Sequence, residues 1–139
     1  MLAQQLGSLS ARAPAAGLHE ITREVKAWLE TQLIRDGLLT LFCRHSSASL
    51  LIQENAAPAA RRDMERYFAK LAPESSDYEH DNEGPDDMPA HLRTALTQTQ
   101  LSIPIEDGAM LLGTWQGIYL FEHRSRPPDR RIALHLVGE

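Results

Sequence analysis

The stretch Gly113-Thr114-Trp115-Gln116-Gly117-Ile118-Tyr119-Leu120-Phe121-Glu122-His123 says most about the fold. From Ile118 onward it alternates, with Ile118, Leu120 and Glu122 on one side and Tyr119, Phe121 and His123 on the other. Successive side chains of a strand leave opposite faces, so the period of two predicts a β-strand. Gly113 and Gly117 bracket Thr114-Trp115-Gln116 and predict a tight bend before it, where backbone can come close to a neighbour. The rest of the C-terminal third reads the same way. Residues 101–105 form a strand whose internal Pro104 places it at an edge or a bulge. Glu106-Asp107-Gly108 is a hairpin-type turn, and residues 110–112 are a short extended piece. Residues 131–137 make the last strand, after a loop containing Pro127-Pro128.

Upstream, the period changes to that of a helix. Ile21, Val25, Trp28, Leu29 and Leu33 share one helical face, with Thr22 as N-cap, Glu24 near the positive end and Gly37 as the stop. Trp28 on that face is read as a core residue. Before this helix, residues 2–9 are weakly patterned as a strand and residues 11–17 read as a loop. After it, residues 38–44 form a strand that delivers His45 just beyond its end, and residues 50–54 form another. Pro58 opens a second helix with Met64, Tyr67, Phe68 and Leu71 inward and a charged, solvated outer face. Pro73 stops it, and a loop of about fifteen residues runs to Asp87, long enough to be functional or disordered. Residues 89–96 are a short third helix, opened by Pro89. With no repeat and no linker, residues 1–139 read as one domain.

Composition narrows the function. The chain has 139 residues, 42% hydrophobic and 24% charged, and can bury a core without staples. A formal charge of −5 argues against nucleic-acid binding as the main task, because phosphate contacts need a basic surface. Arg124, Arg126, Arg130 and Arg131 nevertheless cluster late in the chain. The single cysteine, Cys43, cannot form an intrachain disulfide and reads as a small buried side chain. No signal segment and no membrane-length apolar run are apparent, so a cytoplasmic protein without membrane contacts is expected. P-loop, GxGxxG, GxSxG and CxxC patterns are absent, which argues against a standard glycine-rich nucleotide cradle.

The chemistry concentrates between His80 and His91. This stretch holds two histidines, the carboxylates Asp81, Glu83, Asp86 and Asp87, and the turn pair Gly84-Pro85. Imidazoles and carboxylates can together ligate a divalent metal, but the spacing matches neither a zinc finger nor HExxH. A solvated acidic loop with two ordinary histidines is the competing reading. His45, at a strand end beside Ser46, Ser47 and Ser49, can likewise be a ligand, a base or a hydrogen-bonded turn residue.

Three stretches in this order resemble the YjbQ-like family, described also as secondary thiamine-phosphate synthases. They are His45-Ser46-Ser47-Ala48-Ser49-Leu50 with Glu54-Asn55, the run from His80 to His91, and Gly113 to His123. The resemblance implies an α+β domain, an antiparallel, curved, sandwich-like sheet with packed helices, assembled as a homotrimer. It implies a pocket lined by histidines that holds a divalent metal, zinc being the expected ion, or an anion. It implies a weak thiamine-phosphate synthase activity, joining a thiazole phosphate to a pyrimidine diphosphate with release of pyrophosphate. The alternative is a metal- or small-ligand-binding protein without turnover. Carried over by residue, His45, His80 and His91 are the metal ligands, and Glu54, Asn55, Gln116 and Glu122 are catalytic candidates. Ser47, Thr114 and Trp115 are candidate contacts to a small phosphorylated or heterocyclic ligand. Trp115 would stack on a planar ring or serve as a core aromatic. Ser46 and Gln53 replace the more frequent Thr and Asn, and His123 stands where an acidic residue is common.

Overall fold

In a computed structural model describing Met1–Glu139, the chain runs β1 (Ala3–Ala11), β2 (Gly17–Glu20), α1 (Thr22–Glu30), β3 (Gly37–Cys43), β4 (Ala48–Glu54), α2 (Pro58–Leu71), α3 (Asp87–Leu96), β5 (Gln100–Glu106), β6 (Ala109–Met110), β7 (Gln116–Glu122) and β8 (Arg130–Gly138). The strands form two sheets, a five-stranded one in the order β1-β8-β3-β5-β6 and a three-stranded one in the order β2-β7-β4. Every pairing is antiparallel. The expected α+β class, with a curled antiparallel sheet and packed helices, is what the chain adopts.

The alternation in β7 now has a physical meaning. Ile118 and Leu120 enter the main core, where they meet Leu39 and Leu41 of β3, Ile132, Leu134 and Leu136 of β8, and Val25 and Leu29 of α1. Tyr119 and Phe121 point the other way, into a smaller core with Leu18, covered by Met64 and Phe68 of α2. β7 is therefore buried on both faces, and Gly117 to Glu122 are all buried. Seventeen buried residues make the main core and three the smaller one. At roughly 1.5–3 kcal/mol per fully buried large apolar side chain, the main core dominates stability. α2 has no fully buried residue; Phe68 meets Phe121 edge-to-face at 5.2 Å between ring centroids, and Glu65 accepts the Leu18 N–H of β2.

Several expected boundaries move, each for a local reason. α1 ends at Glu30, not near Gly37. The Thr31 hydroxyl and the Gln32 amide both donate to the Trp28 carbonyl and close the helix early. Leu33 is consequently 94% exposed and leaves the apolar face. Thr22 is the first helical residue, not the cap, and its hydroxyl donates to Glu20 and accepts from the Ile118 N–H. Trp28 is half-buried and lies against Gly7, where a Cβ would overlap the indole. On α2, Tyr67 and Leu71 are exposed instead of inward. α3 starts at Asp87, and Pro89 sits within its first turn, where a missing N–H costs nothing. β2, within and just after the expected loop, is too short to announce itself by alternation.

The hairpin behaves as read, but β5 is not an edge strand and carries no bulge at Pro104, since it lies between β3 and the two-residue β6. The Pro104 carbonyl accepts from the Leu111 N–H, so its ring nitrogen also faces away from β3, toward the sheet margin. Asp107 (φ 49°) and Gly108 (φ 77°) both have the positive φ that a two-residue type I′ turn requires. No helix is long and apolar enough to cross a membrane.

Candidate metal centre

Asp87 and His91 stand one helical turn apart at the start of α3, so their side chains share a face. His80 reaches the same place from the preceding loop. The His80 Nε2 lies 2.8 Å and the His91 Nε2 3.2 Å from the same Asp87 oxygen, Oδ2. The ligand atoms of His80, Asp87 and His91 all lie within 4.8 Å of one another. Asp87 is 2% exposed, whereas the His80 and His91 side chains are 45% and 31% exposed, so the cluster opens to solvent on the imidazole side.

The partners of His91 decide what the cluster can hold. Its Nδ1 lies 3.0 Å from the Ser46 carbonyl, which only accepts, so Nδ1 carries a proton. In the neutral ring Nε2 then presents a lone pair to a carboxylate oxygen. Two lone pairs facing each other at this distance need a positive centre between them, either a proton or a metal ion. A backbone carbonyl on the far nitrogen is also the usual device that orients a metal-bound imidazole. Two atoms bound to one tetrahedral zinc at 2.0–2.1 Å lie about 3.4 Å apart, so the two imidazole–carboxylate separations of 2.8 and 3.2 Å need widen by roughly 0.2–0.6 Å, while the two imidazole nitrogens already lie within 4.8 Å of each other. The donor set therefore fits a divalent ion, with two nitrogens, one carboxylate oxygen and an open side.

Asp87 is kept charged by its neighbours. Burial alone would raise its carboxyl, but the hydrogen bond from His80 and the charges of His91 and Arg124 outweigh it and hold the group below its ordinary range. Arg124 donates from Nη1 to Asp87 Oδ1 at 2.6 Å, from Nε to Asp86 Oδ2 at 3.1 Å and from Nη2 to the Glu83 carbonyl at 2.9 Å. Asp86 also accepts from the Ser125 N–H and hydroxyl. Its carboxyl, which burial would raise, is held low by Ser125 and Arg124. Beside Ser125 lies a cavity of about 410 Å³, lined by Arg12, Ala13, Pro14, Ser125, Arg126 and Pro127, and the Arg12 guanidinium pairs with Asp129 at 3.8 Å.

The expected set of three histidine ligands needs correction. His45 is not in the cluster. Its Nε2 accepts the Arg131 N–H at 2.8 Å, which uses the lone pair and leaves the proton on Nδ1. Burial, with Arg130 nearby, pushes its pKa down, in keeping with a neutral ring. Asp87 takes the third place. A helix opened at Pro89 leaves Asp87 outside it, so Asp87 is missed as a ligand from sequence; the i, i+4 spacing of Asp87 and His91 is the signal that could have found it. Arg124 gave no signal beyond membership of an arginine-rich stretch.

Glu122 lies near this site but is closed. It is 1% exposed, Oε1 and Oε2 both bind Arg130, and Oε2 also accepts the N–H groups of His123 and Arg124. A carboxylate so occupied has no room for a substrate proton. Ser47 takes part through its carbonyl, which accepts from Arg130 Nη2 at 3.2 Å. Behind it, buried Ser49 bonds to His123 Nε2 at 2.9 Å and to Thr97 at 2.6 Å.

Glu54, Asn55, Thr114, Trp115 and Gln116 sit elsewhere. Ala48 pairs with Glu122 and Glu54 with Gln116, so the two groups occupy opposite ends of the same strand pair. At about 3.3 Å per residue the ends lie roughly 20 Å apart. The far group does structural work. Glu54 accepts the N–H groups of Ala56 and Ala57 at the entry to α2. Asn55 donates to Glu20, and its N–H bonds the Trp115 carbonyl. Gln116 Oε1 accepts the Gly113 N–H and closes the bend. Trp115 is 64% exposed, so it is not the core aromatic, and Thr114 is also exposed.

Comparison with known proteins agrees with the motifs. Residues 8–139 match the family model described as UPF0047 protein YjbQ-like. The chain is 49% identical over 123 residues to a UPF0047 protein of Synechocystis sp., covering 88% of this chain and 84% of that one. It is 43% identical over 133 residues to the UPF0047 protein YjbQ of Escherichia coli O157:H7, covering 95% and 96%. A crystal structure of an uncharacterized YjbQ/UPF0047 protein from Clostridium acetobutylicum superposes with a TM-score of 0.81 at 32% identity, covering 95% of this chain and 98% of that one. A YjbQ-like protein of unknown function from Sulfolobus solfataricus shares the fold over the full length of both chains, with a TM-score of 0.88 at 21% identity. In sequence and in fold, the chain belongs to the YjbQ-like UPF0047 family.

Proposed function

We propose that this protein holds a divalent metal ion, with zinc the expected ion, at His80, Asp87 and His91, and uses it to handle a small phosphorylated or heterocyclic ligand. The reaction to seek is transfer of the thiamine-phosphate synthase type, joining a thiazole phosphate to a pyrimidine diphosphate with loss of pyrophosphate. The observation that carries the reading is the orientation of His91. With Nδ1–H donated to the Ser46 carbonyl, its Nε2 and the nearby His80 Nε2 converge on one carboxylate oxygen. A bound ion would supply positive charge where pyrophosphate departs. The chain contributes orientation and further charge. Arg124 fixes Asp87 from behind, and Arg12 and Arg126 line an adjoining cavity.

Binding without turnover is the second reading, favoured by the closed state of Glu122 and the distance of Glu54, Asn55 and Gln116 from the cluster. Pyrophosphate release from the two substrates, measured with zinc-loaded wild type and His91→Ala, separates the two. Zinc-dependent release that His91→Ala abolishes supports the transferase. Zinc binding with no release leaves the binding protein.

A homotrimer belongs to the same proposal. The outer face of the five-stranded sheet has no covering layer within the chain, and it leaves Leu6, Leu38 and Phe42 at 70%, 41% and 45% exposure. Light scattering on the purified protein at micromolar concentration should give three times the chain mass, and a stable monomer would overturn this part.

A further inference from the structure

We propose that the buried Glu122–Arg130 pair is the positioning element of the metal centre, setting metal affinity through contacts on both sides of the cluster. The inference rests on the metal reading above and adds to it two residues that touch no ligand atom.

Two contacts aim the cluster. Arg124 holds Asp87 Oδ1, and the Ser46 carbonyl holds His91 Nδ1. Each leads back to the same buried pair. β7 ends at Glu122, and Glu122 Oε2 accepts the next two backbone N–H groups, of His123 at 3.0 Å and Arg124 at 3.1 Å. Those two bonds fix the backbone from which the Arg124 side chain reaches Asp86, Asp87 and the Glu83 carbonyl. Arg130 opens β8 and grips the carboxylate through Nε at 2.7 Å and Nη2 at 2.5 Å. The same Nη2 also donates to the Ser47 carbonyl, next along the chain from the Ser46 carbonyl that holds His91. One ion pair thus ties together the loop after β3, the loop after β7 and, through Arg124, the start of α3.

Stability is a poor reason for such a pair. The side chains of Arg130 and Glu122 are almost wholly buried, at 2% and 0% exposure respectively, and desolvation offsets much of their attraction. Replacing both members with apolar residues is often neutral for a fold, whereas removing one strands a buried charge. The pair is, however, placed to hold direction at the cluster, and changes to partners behind metal ligands typically cost about 10–100-fold in metal affinity.

The test uses Glu122→Gln and the double variant Glu122→Leu/Arg130→Leu, with wild type alongside. Zinc affinity is measured by competition with a chromophoric chelator, cobalt(II) absorption reports coordination geometry, and thermal unfolding reports the fold. The double variant covers the case in which Glu122→Gln fails to fold. The expected result is a folded double variant whose zinc affinity falls by at least about 10-fold, with an altered cobalt spectrum. A folded double variant within about twofold of wild type, with an unchanged cobalt spectrum, overturns the positioning role and leaves the metal reading standing. A wild type that binds neither ion overturns both.

Discussion

His123 should make the fold acid-sensitive well above the range where carboxylates titrate. It is 1% exposed and packs 4.3 Å from the Phe121 ring centroid. Its Nε2 meets the Ser49 hydroxyl, and its Nδ1 has no protein partner. Burial first, then the positive charges of Arg93 and Arg130, hold its pKa down to about 3. In the unfolded chain a histidine titrates near 6.5. The unfolded state therefore takes up a proton before the native state does. The native advantage is whole above pH ~6.5 and is lost as pH falls toward the folded value. At pH 5 the gap spans about 1.5 pH units, worth roughly 2 kcal/mol at 1.36 kcal/mol per unit. That figure depends on the unfolded value alone, because at pH 5 the native ring is still neutral. Urea unfolding of wild type and His123→Gln at pH 8 and pH 5 isolates the contribution. Wild type should lose about 2 kcal/mol more than the variant between the two pH values. Equal losses in both proteins would refute the reasoning.

Asp87 should show its own, lower acid limb. Its folded pKa is depressed, so its contribution is present above the unfolded value of about 3.9 and is lost as pH falls through the folded one. Melting curves of metal-free Asp87→Asn should therefore fall less steeply below about pH 4 than those of wild type, and parallel curves would contradict this. Trp28→Ala should cost about 2–3 kcal/mol in chemical denaturation, below the 3–5 of a fully buried aromatic, because the indole is only half-buried. Gly7→Ala should cost about 1–3 kcal/mol by the same assay, since its Cβ would overlap that indole.

Much of the fold was legible where one periodicity ran long enough. The alternation from Ile118 to His123 predicted both a strand and its two faces, and Ile118 and Tyr119 do enter different cores. Leu39, Leu41 and Cys43, two residues apart along β3, all face inward, as the period of a strand requires. Helix ends were less legible, because they depend on single side chains such as Thr31 and Gln32 closing on the Trp28 carbonyl. The site divides along similar lines. His80 and His91 lie in the local stretch that announced them, and Asp87 lay in it too. Its role depended on α3 starting two residues before Pro89, which puts Asp87 on the helix beside His91. The partners of His45 and Glu122, the Arg131 N–H and the Arg130 guanidinium, come from another strand, so the sequence alone does not show that the first is turned away from the cluster and the second is closed. Motif order carries no distance, so the resemblance groups Glu54 and Gln116 with the histidines, whereas antiparallel pairing places them at the other end of the β4–β7 pair.

Metal content after equal exposure to zinc and removal of excess tests the central claim most directly, in wild type and in His80→Ala, Asp87→Ala, His91→Ala and His45→Ala. Wild type should retain one zinc per chain. His80→Ala, Asp87→Ala and His91→Ala should each retain little, and His45→Ala should retain the wild-type amount. A wild type without zinc would contradict the account, as would full retention by Asp87→Ala together with loss in His45→Ala.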